Sequence, residues 1–178
     1  MSIEFTAVSL QREIFKKYQA SSKLEAIWKL GPHLPEFFDD PRGALVSVKA
    51  RLEILKAYIE DYDTLVSNIE AVVKGMEIPT RSLNLGTVWK ELETHFEKSA
   101  SKHPILKKAF HSSKATTHPI SCSYGTIDFI EGGELKALAV ALQAAGSPGD
   151  DLESDYEELL EFYQDAAEND DVVLRGLD

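Results

Sequence analysis

The 178-residue chain contains little that would place it in a membrane or in an oxidising compartment. No apolar run approaches the roughly 18 residues of a membrane-spanning helix, and residues 1–5 lack the basic region and apolar stretch of a signal peptide. The single cysteine, Cys122, has no internal disulfide partner, and no Asn-x-Ser/Thr glycosylation site is present. We therefore predict a cytoplasmic protein with no membrane partner.

The chain also lacks the common motifs of metal, phosphate and nucleophile sites. His103, His111 and His118 show neither the i, i+4 helical pair nor the Cys-x-x-Cys unit that places ligands around zinc. A calcium loop starting at Asp150 fails because its sixth position is Asp155 instead of glycine. No glycine-rich phosphate loop is present. We predict no metal, no cofactor and a function that is not enzymatic.

Positive charge is scarce at the C-terminal end. Residues 150–178 hold 12 of the 30 acidic residues and one base, Arg175, whereas residues 1–149 balance 18 acids against 18 bases. The whole net charge of −11 therefore arises in the last 29 positions. This charge repels nucleic acids, which we exclude as partners, and it attracts a basic protein.

The apolar spacing predicts a single, mainly helical α+β domain over residues 1–178. Strands are predicted over residues 3–8 and 171–176, with a weaker strand signal in residues 121–130, and a small sheet is expected to join the two ends of the chain. A capping box, Ser22 with Glu25, indicates a helix start, as does Asp40 before Pro41. Further helices are predicted over residues 9–20, 87–98, 134–145 and 150–168, and a loop over residues 32–41.

Apolar residues recur at spacings of three and four from Leu45 to Met76. One unbroken helix of about 30 residues would span about 45 Å, whereas a compact chain of this size is about 40 Å across. A break near residues 61–64 and a single rod both fit this pattern. The stripe also offers a seam for a homodimer.

Several segments resemble the YfbM-like family of uncharacterised, mostly bacterial proteins. They are His-Pro-Ile-Leu-Lys-Lys-Ala at residues 103–109, Asp-Phe-Ile-Glu-Gly-Gly-Glu-Leu at residues 128–135, and residues 156–174. The family's Trp-x-x-Leu-His element is here Trp89-Lys-Glu-Leu92-Glu93, so glutamate replaces the histidine. The resemblance implies an α+β domain with its terminal strands close together and no assigned reaction, and no catalytic residue is carried over.

The helix at the acidic end is predicted to present a partner-binding surface. Its apolar residues share one face and its carboxylates another. Phe162 falls about 110° from the centre of the apolar stripe at ~100° per residue, so we predict an exposed aromatic ringed by carboxylates. The sequence thus predicts a protein-binding module of the inhibitor or immunity type for a basic protein, with the contact residues Asp155, Glu157, Glu158, Glu161, Phe162 and Asp165.

Three alternatives stay open. In the first, residues 32–41 cover Phe162. In the second, the lysine-rich residues 98–114 neutralise the acidic helix. In the third, the protein binds a small ligand or is an enzyme, with a pocket that contains His118, Cys122, Tyr124 and Asp128. A buried and slowly reacting thiol would argue against that pocket.

Overall fold

A computed structural model describes residues 2–112, 114–149 and 151–178. Its strands are β1 (Phe5–Leu10), β2 (Arg81–Gly86), β3 (Ser121–Cys122), β4 (Gly125–Thr126), β5 (Asp128–Glu131) and β6 (Val172–Leu177). Its α-helices are α1 (Arg12–Tyr18), α2 (Lys23–Leu30), α3 (Leu34–Asp39), α4 (Pro41–Ile54), α5 (Tyr62–Lys74), α6 (Trp89–Ser99), α7 (Gly132–Ala145) and α8 (Glu153–Glu168). Short 3-10 helices occur at Gly31–His33, Lys56–Tyr58 and Pro104–Lys108. The predicted α+β class is confirmed.

The two terminal strands lie side by side at the centre of the main sheet. The strand order is β2-β1-β6-β5, every neighbouring pair is antiparallel, and Val8 of β1 pairs with Leu174 of β6. All six residues of β1 are buried. Such a continuous buried run is typical of a strand whose two faces are both covered. The predicted sheet that joins the chain ends is confirmed.

Helices cover both faces of this sheet, so the molecule has three layers. Because successive strand residues point to opposite faces, each strand contributes to two cores. On one face, Phe5 and Val173 pack with buried residues of α6, α7 and α8. On the other, Val8 and Leu174 pack with buried residues of α1, α2, α4 and α5. Helix α8 therefore lies in the opposite layer from α4 and α5.

The long apolar stripe is broken into two helices. Helix α4 ends at Ile54, the 3-10 helix Lys56–Tyr58 follows, and α5 begins at Tyr62. The predicted break is confirmed, a few residues before the expected position, and the single rod is wrong. The stripe packs inward, since Val48, Leu65 and Ile69 are buried. These buried residues cannot form a seam between two copies of the chain, and the exposed members of the stripe, Leu55 and Met76, lie just beyond the ends of the two helices.

Residues 32–41 are mostly helical, so the predicted loop is wrong. Pro32 and Pro35 each stand in the first turn of a helical segment, where the missing N–H has no helical partner to lose. The cap of α4 is confirmed, because the backbone N–H of Arg42 donates to Oδ1 of Asp40 at 3.2 Å. The prolines here mark the starts of short helices and not a loop.

Two further local predictions differ from the structure. The capping box at Ser22 does not form, and its hydroxyl accepts instead from Nδ2 of Asn68 at 3.0 Å. Strand β2 was not predicted, because only Leu83 and Leu85 mark its buried side within six residues.

Among the described residues, no helix is long and apolar enough to cross a membrane.

Candidate functional site

Helix α8 turns a row of carboxylates away from the sheet. The first turn already carries Glu153 and Asp155, a position where the helix dipole favours negative charge. At ~100° per residue the exposed acids occupy an arc of about 140°, while Tyr156, Leu159 and Tyr163 face the core. Four exposed acids before the last turn form what we call the acidic face: Glu153, Glu157, Glu158 and Glu161.

Within the described part of the chain, one cation reaches this face. Nη2 of Arg81 on β2 lies 3.3 Å from Oε1 of Glu161, and Nη1 of Arg81 bonds to Asp165. Glu153, Glu157 and Glu158 form no ion pair with any other residue that the structure describes. The predicted residues Asp155 and Asp165 are only half-exposed and lie at the margins of the face.

The lysine-rich residues 98–114 do not neutralise the acidic face. Nζ of Lys108 and Nζ of Lys114 each lie 2.7 Å from a carboxylate oxygen of Glu134 on α7. Hydrogen bonds from these two lysines lower the pKa of Glu134 to about 2. The alternative in which this segment complements α8 is therefore wrong.

Phe162 is not part of the surface. Its side chain is 0% exposed and belongs to the core cluster, with its ring centroid 5.6 Å from that of Tyr163. The prediction of an exposed hot spot is wrong because β2 packs against this flank of α8, where Arg81 meets Asp165. Residues 32–41, the predicted cover, are not what buries it, since Phe37 packs in the opposite layer.

A buried ion pair that the sequence patterns did not predict links β5 and β6. The side chain of Arg175 is 0% exposed, and its Nε donates to Oδ1 of Asp128 at 2.8 Å. Nη2 lies 2.7 Å from the same oxygen without hydrogen-bond geometry. Nη1 donates to the carbonyl of Lys108 and lies 3.3 Å from the hydroxyl of Tyr163. Oδ2 of Asp128 accepts from the N–H of Ser112 at 2.6 Å.

Burial and pairing shift the pKa values of Tyr163 and Arg175. Burial raises the pKa of Tyr163, whose hydroxyl donates to the carbonyl of Ala109 at 2.5 Å. Burial lowers the pKa of Arg175, but Tyr163 and Asp128 outweigh that effect, and the pKa is raised overall. A charge in such a place needs a partner. Asp128 therefore has a structural role. The signal in the sequence was a lone arginine within the apolar strand Val-Val-Leu-Arg-Gly-Leu.

The four residues of the alternative pocket do not come together in one cavity. His118 lines an open groove of about 710 Å³ between α2 and α5, and neither Cys122, Tyr124 nor Asp128 lines it. Cys122 is half-buried and packs against the core, while Tyr124 is 44% exposed. Asp128 is held by Arg175. The predicted pocket is thus reduced to a groove that contains His118.

A second polar cluster joins the starts of β2 and β6. Oδ2 of Asp171, a buried residue, accepts from the hydroxyl of Ser9 at 2.6 Å and from that of Thr80 at 2.9 Å. Next to it, Arg12 bonds to Asp170 at 3.0 Å across a cleft of about 380 Å³. These bonds satisfy a buried carboxylate with hydroxyl donors and anchor one end of the sheet.

In the part of the chain that the structure describes, no group of three or more His, Cys, Asp or Glu residues is placed to hold a metal ion. Comparisons with protein-family models, with curated proteins and with solved structures found no match. The resemblance to the YfbM-like family stays a prediction.

Proposed function

We propose that this protein is a binding module for a basic protein, of the inhibitor or immunity type, and that the acidic face of α8 is its contact surface. The observation that carries the proposal is the set of exposed carboxylates, of which only Glu161 pairs with a cation among the residues that the structure describes. Asp155 and Asp165 lie beside the face as secondary contacts, and Phe162 has no part in it.

The spacing of the acids supports an external cation. Glu153, Glu157 and Glu161 follow one another at i, i+4, where like charges destabilise a helix by about 0.2–0.5 kcal/mol per pair. Apart from the favourable first-turn position of Glu153 and the pairing of Glu161 with Arg81, the fold gains nothing from this arrangement. Lysine or arginine side chains of a partner would remove the repulsion and form new pairs.

Arg81 illustrates how such a partner side chain would be held. Its guanidinium lies between Glu161 and Asp165, one helical turn apart. Because the face lacks an apolar anchor, charge would contribute most to recognition, mainly through the association rate and through selection against acidic proteins. Binding by exposed charges weakens as salt screens them.

The test is affinity capture from native lysate with three forms of the protein. The first is wild type, and the second carries Glu153→Gln, Glu157→Gln and Glu158→Gln. The control variant carries Glu4→Gln, Glu91→Gln and Glu97→Gln, which removes the same charge from other exposed positions. We expect a basic protein to be recovered by wild type and by the control variant, and lost from the α8 variant. Equal recovery by all three would refute the proposal.

A cytoplasmic location belongs to the same proposal and is supported by the free thiol of Cys122. Cell fractionation tests it, and recovery of the protein outside the cytoplasm would refute it.

A second candidate function is the binding of a small ligand. The groove at His118 favours it, because its volume of about 710 Å³ falls in the range of known ligand pockets, roughly 300–1,000 Å³. Asn68 and Lys29 line the same groove and offer polar contacts. Ligand-detected NMR with a metabolite mixture tests this function. Hits that disappear in an Asn68→Leu variant would support it, and an absence of hits would remove it.

A further inference from the structure

Exposed apolar side chains are concentrated on one short stretch of the chain. Among the described residues, eight large hydrophobic side chains are exposed, and five of them lie within residues 38–58. On α4, Val46 is 69% and Ile54 is 79% exposed. Exposed Ala50 lies between them at i+4 spacing, so the three form one continuous stripe. We call Val46, Ala50 and Ile54 the outer stripe.

The outer stripe differs from the inward apolar face of the same helix. Val48 and Leu52 point into the core and are buried, so the fold already uses that face. Nothing in the packing of the described residues requires valine and isoleucine on the outside. Grouped exposed apolar residues of this kind are typical of interaction surfaces.

We propose that the outer stripe is the interface of a homodimer, in which α4 packs antiparallel against α4 of a second copy. The two-fold axis passes close to residue 48. This register places Val46 of one copy against the partner's Ala50, where the small alanine leaves room for the larger side chain, and it places Ile54 against the aliphatic stem of the partner's Arg42.

The charges beside the stripe complement a second copy. Arg42 and Glu53 lie on the same flank, about 40° and 20° from Val46 at ~100° per residue, and about 16 Å apart along the helix axis. A two-fold axis maps a flank onto itself and reverses its direction. Arg42 of each copy therefore lies beside the partner's Glu53, which gives two ion pairs per interface.

Contacts within one copy leave both groups able to pair. Arg42 forms no ion pair with another residue that the structure describes, and Pro41 and Arg42 begin the helix at an exposed corner. Tyr62 donates to Oε2 of Glu53, which fixes the side chain, and Oε1 lies 3.6 Å from Lys56. Lys56 also lies over the ring of Tyr62, with Nζ 4.6 Å from the ring centroid, so a guanidinium that approaches Oε1 more closely would take its place there.

The positive charge on this flank makes α4 an unsuitable surface for the basic partner that we propose for α8. Arg42 borders the stripe without an ion pair among the described residues and would repel a cationic surface, whereas Lys49 is already paired with Glu70. Helix α4 also lies in the opposite layer from α8. A dimer through α4 would leave two acidic faces open, so this inference is independent of the proposed function.

Sedimentation equilibrium between about 1 and 500 µM at 0.15 M salt tests the dimer. We expect wild type to pass from monomer to dimer in this range, and Ile54→Arg to remain monomeric throughout. The matched control is Val140→Arg on α7, where the replaced side chain is 68% exposed, and it should dimerise as wild type does. A wild type that stays monomeric, or equal effects of the two substitutions, would overturn the proposal.

A charge exchange tests the register. We expect Arg42→Glu and Glu53→Arg each to weaken dimerisation at least tenfold, and the double variant to recover most of the loss. Both changes suit the helix dipole, because they place an acid in the first turn of α4 and a base in the last. Folding is checked by circular dichroism. No recovery in the double variant would refute the antiparallel register.

Discussion

The buried ion pair between Arg175 and Asp128 makes a sharp prediction about stability. We consider Asp128→Asn, which keeps the shape of the side chain and removes its charge. The guanidinium, with a side chain 0% exposed, then lacks its counter-charge. In addition, the new amide meets two sets of donors, Arg175 on one side and the N–H of Ser112 on the other, and its oxygen accepts from only one of them.

The expected loss is large for a single substitution. Removing one partner of a buried ion pair costs about 3–5 kcal/mol, against a typical total of about 5–15 kcal/mol. With an m-value near 2 kcal/mol per M in urea, the unfolding midpoint should fall by about 2 M. The assay is urea denaturation followed by tryptophan fluorescence, because Trp28 and Trp89 are both buried.

A double variant separates the lost charge from lost packing. Asp128→Asn with Arg175→Met removes both charges and leaves an apolar chain of similar length, although the carbonyl of Lys108 loses its donor. Complete removal of a buried pair is often close to neutral, so we expect the double variant to be more stable than Asp128→Asn by at least about 1 kcal/mol. A loss below about 1 kcal/mol for Asp128→Asn, or a double variant less stable than the single one, would refute this account.

The remaining predictions concern packing and one carboxylate. Phe162→Ala should lower the free energy of unfolding by about 3–5 kcal/mol, because the ring is fully buried; a change below about 0.5 kcal/mol would contradict its burial. A Cβ at Gly176 would lie 3.0 Å from Cζ2 of Trp28, so Gly176→Ala should cost about 1–3 kcal/mol. Its control, Gly133→Ala, has no heavy atom within 4 Å of the added carbon and should leave the melting temperature unchanged or slightly raised. The pKa of Glu134 falls from an ordinary value near 4.5 to about 2 in the folded state, so its stabilisation is complete above pH 4.5 and is lost as the pH falls towards 2. Without screening, this difference in pKa corresponds to about 3 kcal/mol of stabilisation. The side chain of Glu134 is about one-third exposed, and screening by solvent reduces the stabilisation to about 1 kcal/mol. Acid titrations of wild type and Glu134→Gln should therefore converge near pH 2, and parallel curves would contradict this pairing.

The sequence predicted those features that depend on local periodicity. The alternating and apolar runs at the two chain ends gave β1 and β6, and spacings of three and four gave the helices. Strand β2 was missed because six residues with two leucines carry too little pattern. Residues 32–41 were misjudged because proline is common both in loops and in the first turn of a helix.

The candidate site shows the same limit. The periodicity of α8 correctly separated the exposed carboxylates from the core residues. It misplaced Phe162 because a helical wheel does not show which element packs against a flank, and here β2 covers it. The pairing of Arg175 with Asp128 joins residues 47 positions apart. Such a pair follows from strand order and register, which local patterns do not contain.

The central claim is that the acidic face of α8 binds a basic protein, and calorimetric titration of the captured partner tests it most directly. The titration compares wild type, the α8 variant with Glu153, Glu157 and Glu158 changed to Gln, and the control variant with Glu4, Glu91 and Glu97 changed to Gln. At about 0.2–1 kcal/mol for each exposed pair, the α8 variant should bind roughly 3- to 150-fold more weakly, while the control variant binds like wild type. Equal affinity of the two variants would contradict the claim.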